Sequence, residues 1–165
     1  MLEDDPQLTV RLVKGRNPAR IVVDSRLRIP LNSRILKELD KAPTFVAATA
    51  QADIEKTFAL NVMGIDVVGT GEDSEGMVDL KDLLMKLGQR NISSILVEGG
   101  AITITSFLQQ GLADKIVAIV APKIVGKGVE TVGDLGILNI SRALKLYFDK
   151  IYRKGEDIII EAKTA

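Results

Sequence analysis

Ser94-Ile95-Leu96-Val97-Glu98-Gly99-Gly100-Ala101-Ile102-Thr103 is the stretch that decides the fold. Ser94 to Val97 is a short apolar run of the kind found in a buried strand, it meets a carboxylate and two glycines, and a helix-length segment follows to Gln110. The order is strand, glycine turn, helix. Glycines remove the side chains that hold a ligand off the backbone, and the first turn of a helix presents unpaired N–H groups. Such a turn is an anion site, most often for phosphate. Glu98 repels a phosphate at contact distance and is better suited to face a neighbouring polar ligand. A plainer reading stands beside this one, in which Gly99-Gly100 is only a tight connection and Glu98 a solvated turn residue.

Outward from that stretch the chain alternates strand-like and helix-like pieces. Leu8 to Val13 has alternating character and ends in the turn-forming Lys14-Gly15-Arg16-Asn17-Pro18. Arg20 to Asp24 predicts a second strand, followed by the polar, basic loop Ser25 to Pro30. Asn32 is a natural N-cap for a short helix through Leu39, and Thr44 to Ala50 predicts a third strand. Ala52 to Met63 has helical spacing with Ile54, Phe58 and Val62 on one face, and Gly64 is its stop. Ile65 to Val68 predicts a fourth strand, and an acidic loop runs from Gly69 to Gly76. Asp79 then caps a helix with Leu80, Leu83, Leu84 and Leu87 at helical spacing, ended by Gly88. Beyond the central stretch, Lys115 to Ala121 is another apolar strand and Pro122 to Gly136 a glycine-rich loop. Ala143 to Tyr152 and Asp157 to Ala162 form a closing antiparallel pair. The class is α/β, with a mixed, mostly parallel sheet and antiparallel C-terminal strands, read as one domain over residues 1–165.

Composition narrows the chemistry. With 165 residues and 46% apolar content the chain fills an ordinary single-domain core. Its 22 basic and 22 acidic residues cancel, which leaves no electrostatic footprint for nucleic acid or an anionic membrane. The absence of Cys and His removes the thiol nucleophile, Cys-ligated zinc, the commonest metal ligand and the usual general base, so no metal is expected. No segment has signal-peptide design or bilayer-spanning length, and a cytoplasmic protein is the expectation.

Ligands of an open α/β sheet bind outside the carboxyl ends of its strands, and two loops there are chemically distinctive. Glu98-Gly99-Gly100 suits a pyrophosphate. Asp24-Ser25-Arg26-Leu27-Arg28, a Ser followed by two Arg, suits a second phosphate such as the 2′-phosphate that separates NADP from NAD. Arg26 and Arg28 also fit as ordinary solvated residues. The G-x-G-x-x-G fingerprint is absent, so a dinucleotide would sit in another α/β frame.

Glu3-Asp4-Asp5-Pro6-Gln7-Leu8-Thr9-Val10-Arg11, Pro18 to Ser25, Leu96 to Gly100 and Ala121 to Gly126 resemble, in order and spacing, the successive blocks of the reductase family of riboflavin biosynthesis. Its members are the 2,5-diamino-6-ribosylamino-4(3H)-pyrimidinone 5′-phosphate reductases and the C-terminal reductase half of the bifunctional deaminase–reductase. The resemblance implies a dihydrofolate-reductase-like three-layer fold, a homodimer, and reduction of a phosphorylated ribosylaminopyrimidine to its ribityl form by NADPH, with NADH as the other candidate. By the same resemblance Asp4 contacts the cofactor, Ser25, Arg26, Leu27 and Arg28 lie near its ribose and 2′-phosphate, and Val78 lines its adenine side. Gly99, Gly100, Ala101, Ile102 and Thr103 match the pyrophosphate-binding turn and helix start, a region extending as far as Ser106. Leu8, Arg11 and Glu98 match positions facing the substrate, Arg11 pairing with its phosphate. Structural readings stand beside several of these: Asp4 as a turn former, Leu8 as core, Val78 as packing.

Family members carry a strand, a loop with an Asp-Gly pair and a long helix ahead of the Asp-Asp-Pro block, roughly 50 residues at ordinary element lengths. This sequence starts almost on that block, so the expectation is a fragment, a misassigned start or a shortened relative. Other readings stay open: a nucleotide-binding module without turnover, an α/β assembly protein, and a reductase of folate-type pterins.

Overall fold

Short β-branched runs form the first sheet of the computed structural model, which describes residues 5–165. The chain divides into two compact units, Met1–Ile95 and Leu96–Ala165. In the first, β1 (Arg20–Val23), β2 (Thr44–Ala48) and β3 (Asp66–Gly69) run parallel in that spatial order. Val22 lies opposite Val46, and Ala47 opposite Val68. Val22, Val46 and Ala48 from the sheet pack with Leu27, Ile29, Ile35 and Leu36 from the first crossover and with Leu60 and Ile65. Each such side chain contributes about 1.5–3 kcal/mol on burial.

Helix α1 (Ile54–Val62) begins where Asp53 accepts the N–H groups of Glu55 and Lys56. It ends at Gly64, φ +85°, with Ile65 N–H returning to the Leu60 carbonyl at 3.1 Å. Its apolar stripe is on the outside: Ile54, Phe58 and Val62 are 84%, 71% and 71% exposed, whereas Leu60 is buried. The helical period places those three on one face but does not say which face meets the sheet. Helix α2 (Leu80–Gln89) buries Leu80, Leu83 and Leu87 and is capped by Asp79, as its spacing predicts. Gly88 does not stop it; the helix runs one residue further, and the left-handed residue beyond it is Asn91 at φ +62°.

Two other expected elements are absent. Leu8 to Val13 is irregular: Leu8 sits at φ +48° and the Val10 N–H donates to Asn17 Oδ1 at 2.8 Å, so the segment closes a loop instead of joining a ladder. The helix expected from Asn32 to Leu39 shrinks to one 3-10 turn, Arg34–Leu36, whose N-cap residue is Ser33 and makes no side-chain cap.

Arg20 accounts for the order of this crossover. The side chain is buried at the foot of β1, and one guanidinium nitrogen donates to the carbonyls of Lys37 and Ala42 at 2.9 Å each, with longer contacts to the Glu38 and Gln7 carbonyls. Burial lowers its pKa from the ordinary arginine value while the Glu38 carboxylate raises it. The guanidinium remains charged, and backbone carbonyls take the place of water around it.

The second unit holds α3 (Ala101–Gln109) and β4 (Lys115–Val120), β5 (Leu146–Lys154) and β6 (Asp157–Thr164), antiparallel with β6 in the middle. Gly155, φ +65°, lets β5 turn directly into β6, and Lys154 pairs with Asp157. The expected strand Ser94 to Val97 does not form: no described strand pairs with it, and a strand exists only through its ladder. Among the described residues no helix is long and apolar enough to cross a membrane, and no cluster of acidic side chains is gathered as a metal site.

Replacing Arg20 with Met leaves partly buried carbonyls without their charged donor, and the expected loss is about 3 kcal/mol of unfolding free energy by urea denaturation followed by far-UV CD. A second expectation concerns the cross-strand cluster in which Glu161 accepts from Lys115 Nζ and, at 3.0 Å, from the Tyr152 hydroxyl. The Lys115 ammonium first, and the Tyr152 hydroxyl next, hold the Glu161 carboxyl below the ordinary value of 4.5. A depressed carboxyl stabilises above its unfolded pKa and stops doing so as pH falls through the folded one. Urea midpoints of Glu161→Gln should therefore fall less steeply than those of the parent below pH 4.5, and added salt should narrow the difference.

Candidate functional site

Asp24 organises the loop that leaves β1. Its N–H donates to the Ala47 carbonyl, its carbonyl accepts the Leu27 N–H, and its Oδ2 accepts the Ile29 N–H at 2.7 Å. The turn so formed requires Leu27 at φ +54°, and the loop is fastened by burying Leu27 and Ile29 in the core. Arg26 and Arg28 are left exposed on its outside.

Ser25 ties this loop to two others. Its carbonyl accepts the Thr49 N–H at 3.0 Å and the Thr49 hydroxyl at 3.1 Å, at the end of β2. Its Oγ accepts the Val78 N–H at 3.0 Å and donates to Met77 Sδ at 3.6 Å. A thioether is a weak acceptor, so the Ser25 O–H turns to a better one at little cost. Val78 reaches Ser25 through its backbone, since its own side chain is 2% exposed and packs inside. Ser25 and Val78 are thus brought together in the first unit, with Leu27 buried behind the loop and Arg26 and Arg28 exposed on it. Leu8 is half-buried against the same core, Arg11 is exposed, and Asp4 lies outside the described residues.

In the second unit Gly100 is the N-cap residue of α3, at φ +81° and ψ 113°, and it brings no side-chain acceptor. The first intrahelical bond is from the Ile104 N–H to the Gly100 carbonyl, so the N–H groups of Ala101, Ile102 and Thr103 have no partner among the described residues. Those three donors and the helix dipole carry partial positive charge. Glu98 and Gly99 are exposed just before them. Ser106 is turned away, its hydroxyl donating to the Ile102 carbonyl at 3.0 Å. The loop after β4 is pinned to this helix: the Gly133 N–H donates to Thr105 Oγ1 at 2.7 Å, and Gln109 Nε2 donates to the Asp134 carbonyl.

These are two phosphate-compatible features, one in each unit. The first supplies a hydroxyl and two guanidinium groups, the second backbone donors on a turn without side chains. Each by itself is compatible with a phosphate group. Sequence reasoning placed Asp24 in the distinctive loop without giving it a role, and it did not single out Thr49 or Met77. An Asp closing an apolar run just before a Ser is an Asx-turn signal that points to the first; the other two are joined to Ser25 only by the fold.

The family model of the RibD C-terminal domain matches residues 1–160. The riboflavin biosynthesis protein RibD of Aquifex aeolicus is 40% identical over 161 residues, which cover 97% of this chain and 43% of that protein. The 2,5-diamino-6-ribosylamino-4(3H)-pyrimidinone 5′-phosphate reductase of Methanothermobacter thermautotrophicus is 37% identical over 167 residues, covering 98% of this chain and 74% of that one. The chain therefore spans less than half the length of the RibD relative and about three quarters of the reductase. Among solved structures, Acinetobacter baumannii RibD superposes with a TM-score of 0.82 at 24% identity, over 99% of this chain and 44% of that chain, a likeness of fold.

A Cβ added at Gly100 would meet Thr103 Oγ1 at an ordinary 3.6 Å, so the cost of Gly100→Ala lies in the backbone. It is expected at about 1–2 kcal/mol, read from tyrosine fluorescence during denaturation. Both tyrosines, Tyr147 and Tyr152, report on this unit. Gly99→Ala, with nothing within 4 Å of the new methyl, should stay within about 0.5 kcal/mol of the parent.

Proposed function

The chain belongs to the RibD C-terminal domain family, and on that premise we propose that it is an oxidoreductase of riboflavin biosynthesis. In this reading it reduces the ribosylamino group of a (diamino)ribosylaminopyrimidinone 5′-phosphate to ribitylamino, with NADPH as the reductant. The observation that carries the reading is Gly100 at φ +81° opening a helix whose first three N–H groups have no partner among the described residues, on the block that matches the family. A dinucleotide pyrophosphate supplies the acceptors those donors need.

The remaining roles follow by position. Ser25, Arg26 and Arg28 receive the ribose and its 2′-phosphate, with Leu27 holding the loop in place and Val78 fixing Ser25 through its N–H. Arg11 pairs with the substrate phosphate, for which its planar fork is suited, and Leu8 and Glu98 border the substrate. Asp4 completes the cofactor contacts. When bound, the nicotinamide supplies the hydride, which passes to C1 of the ribose in its open-chain imine form. The protein positions the two partners and, lacking His and Cys, leaves proton delivery to a carboxylate or water. The working form is a homodimer of single reductase domains.

The test is substrate-dependent loss of nicotinamide absorbance on mixing the protein, NADPH and the ribosylaminopyrimidinone phosphate, with and without the strand–loop–helix segment that family members carry ahead of the Asp-Asp-Pro block. Arg11→Ala should raise KM for the phosphorylated substrate at least about tenfold, the equivalent of one charged hydrogen bond, while the Kd for NADPH stays unchanged. Binding of NADPH without consumption in either form would sink the reductase reading in favour of a non-catalytic module.

A further inference from the structure

We propose that Asp24 sets the preference between 2′-phosphorylated and unphosphorylated nicotinamide dinucleotides, a step that rests on the reading of Ser25 to Arg28 as the cofactor loop. The carboxylate is divided in its duties. Oδ2 is committed to the Ile29 N–H at 2.7 Å. Oδ1 is buried and has no hydrogen-bond partner among the described residues, in a side chain only 10% exposed. The nearest cation is Arg28, whose Nε stands 3.7 Å from Oδ1, beyond hydrogen-bond range. The Arg28 side chain is 77% exposed and so free to swing outward.

A cavity of about 90 Å³ lies at this point, its polar lining Asp24, Arg28, Asp5 and Ser33 and its apolar wall from the end of β1, Ile29 and Pro30. That is several times the roughly 10–15 Å³ one water needs, and enough for the edge of a sugar. Its apolar wall, the spare Asp24 oxygen and the carboxylate of Asp5, whose Oδ1 already accepts the Arg34 N–H at 2.8 Å, suit a neutral ligand that donates hydrogen bonds. A ribose 2′-hydroxyl is such a donor. A 2′-phosphate is not; Asp24 repels it and Arg28 attracts it. Elsewhere in dinucleotide sites the same division holds, a carboxylate at a strand end for the ribose hydroxyl and an Arg for the 2′-phosphate. Here both groups stand on one turn, four residues apart. With the phosphate present, Arg28 leaves Asp24 to pair with it. With the hydroxyl present, Asp24 Oδ1 gains the donor it lacks. The chain accordingly binds both dinucleotides, and Asp24 narrows the gap between them.

The experiment is a titration of the full chain with NADPH and with NADH, followed by nicotinamide fluorescence, for the parent, Asp24→Asn and Arg28→Ala. Asn keeps an acceptor oxygen for the Ile29 N–H, and far-UV CD melts record whether the loop change reaches the fold. In Asp24→Asn the ratio of the NADH Kd to the NADPH Kd should rise at least about tenfold. In Arg28→Ala, on an exposed side chain whose loss leaves the core intact, the ratio should fall by a similar factor, mainly through weaker NADPH binding. An unchanged ratio in Asp24→Asn, or equal weakening of both cofactors together with a lowered melting temperature, would mean that Asp24 only shapes the turn and would overturn the proposal alone. A folded parent chain that binds neither dinucleotide would overturn the reading of the loop as well.

Discussion

The buried guanidinium of Arg20 is the constraint on which the first unit depends. It lies at the first residue of a four-residue strand and reaches the carbonyls of Lys37, Glu38 and Ala42, so a crossover with one 3-10 turn and no α-helix is tied to β1 through its backbone. A charged group taken out of water is expensive unless its donors are met, and here backbone carbonyls of the crossover meet them. One nitrogen, Nε, is left over. The crossover residues Leu27, Ile29, Ile35 and Leu36 pack against β1 and β2 from this anchored connection. Arg20 fixes one end of β1, and Asp24, immediately beyond its other end, fixes the loop that carries Ser25.

What the sequence discloses of this fold is whatever local chemistry decides. The three parallel strands follow from β-branched runs, the start of α2 from Asp79 and its leucines, and the closing hairpin from alternation around Gly155. Among the features that escape such reading, four have a tertiary reason. The stripe Ile54, Phe58 and Val62 is periodic but faces outward, because the sheet takes the Leu60 side of α1. Gly88 sits within α2, since a glycine ends a helix only where the chain needs a left-handed turn, and here Asn91 supplies it. Leu8 to Val13 alternates like a strand but spends its Val10 N–H on Asn17. Ser94 to Val97 is apolar like a strand and has no described ladder partner, so its composition alone does not make it one.

The candidate site divides along the same line. Gly100 was legible because only glycine adopts φ +81° without strain, and the helix behind it announced itself by length. Ser25, Arg26 and Arg28 were legible as a polar loop after a strand. The links that give Ser25 its orientation were not: Thr49 and Met77 lie 24 and 52 residues away, and no spacing rule predicts a serine hydroxyl between a valine N–H and a methionine sulfur. Val78 shows the difference in kind. Position alone suggests a side chain lining a ligand, whereas burial turns the side chain inward and leaves the backbone to act.

A chain without His or Cys has few side chains suited to acid–base or nucleophilic work near neutral pH, and this one leans on backbone geometry instead. Backbone donors at Gly100 to Thr103 carry no protonation state, so their attraction for an anion is constant across the pH range in which the protein is folded. The Asp24–Arg28 pair is built differently. At 3.7 Å and with Arg28 mostly in solvent it is worth at most about 1 kcal/mol, too little to be a structural tie. Asp24 has already secured the turn through its other oxygen, and the fold therefore does not need this pair closed. A weak contact between a spare buried acceptor and a mobile cation is cheap to open, and an incoming group that satisfies either partner better than they satisfy each other will open it.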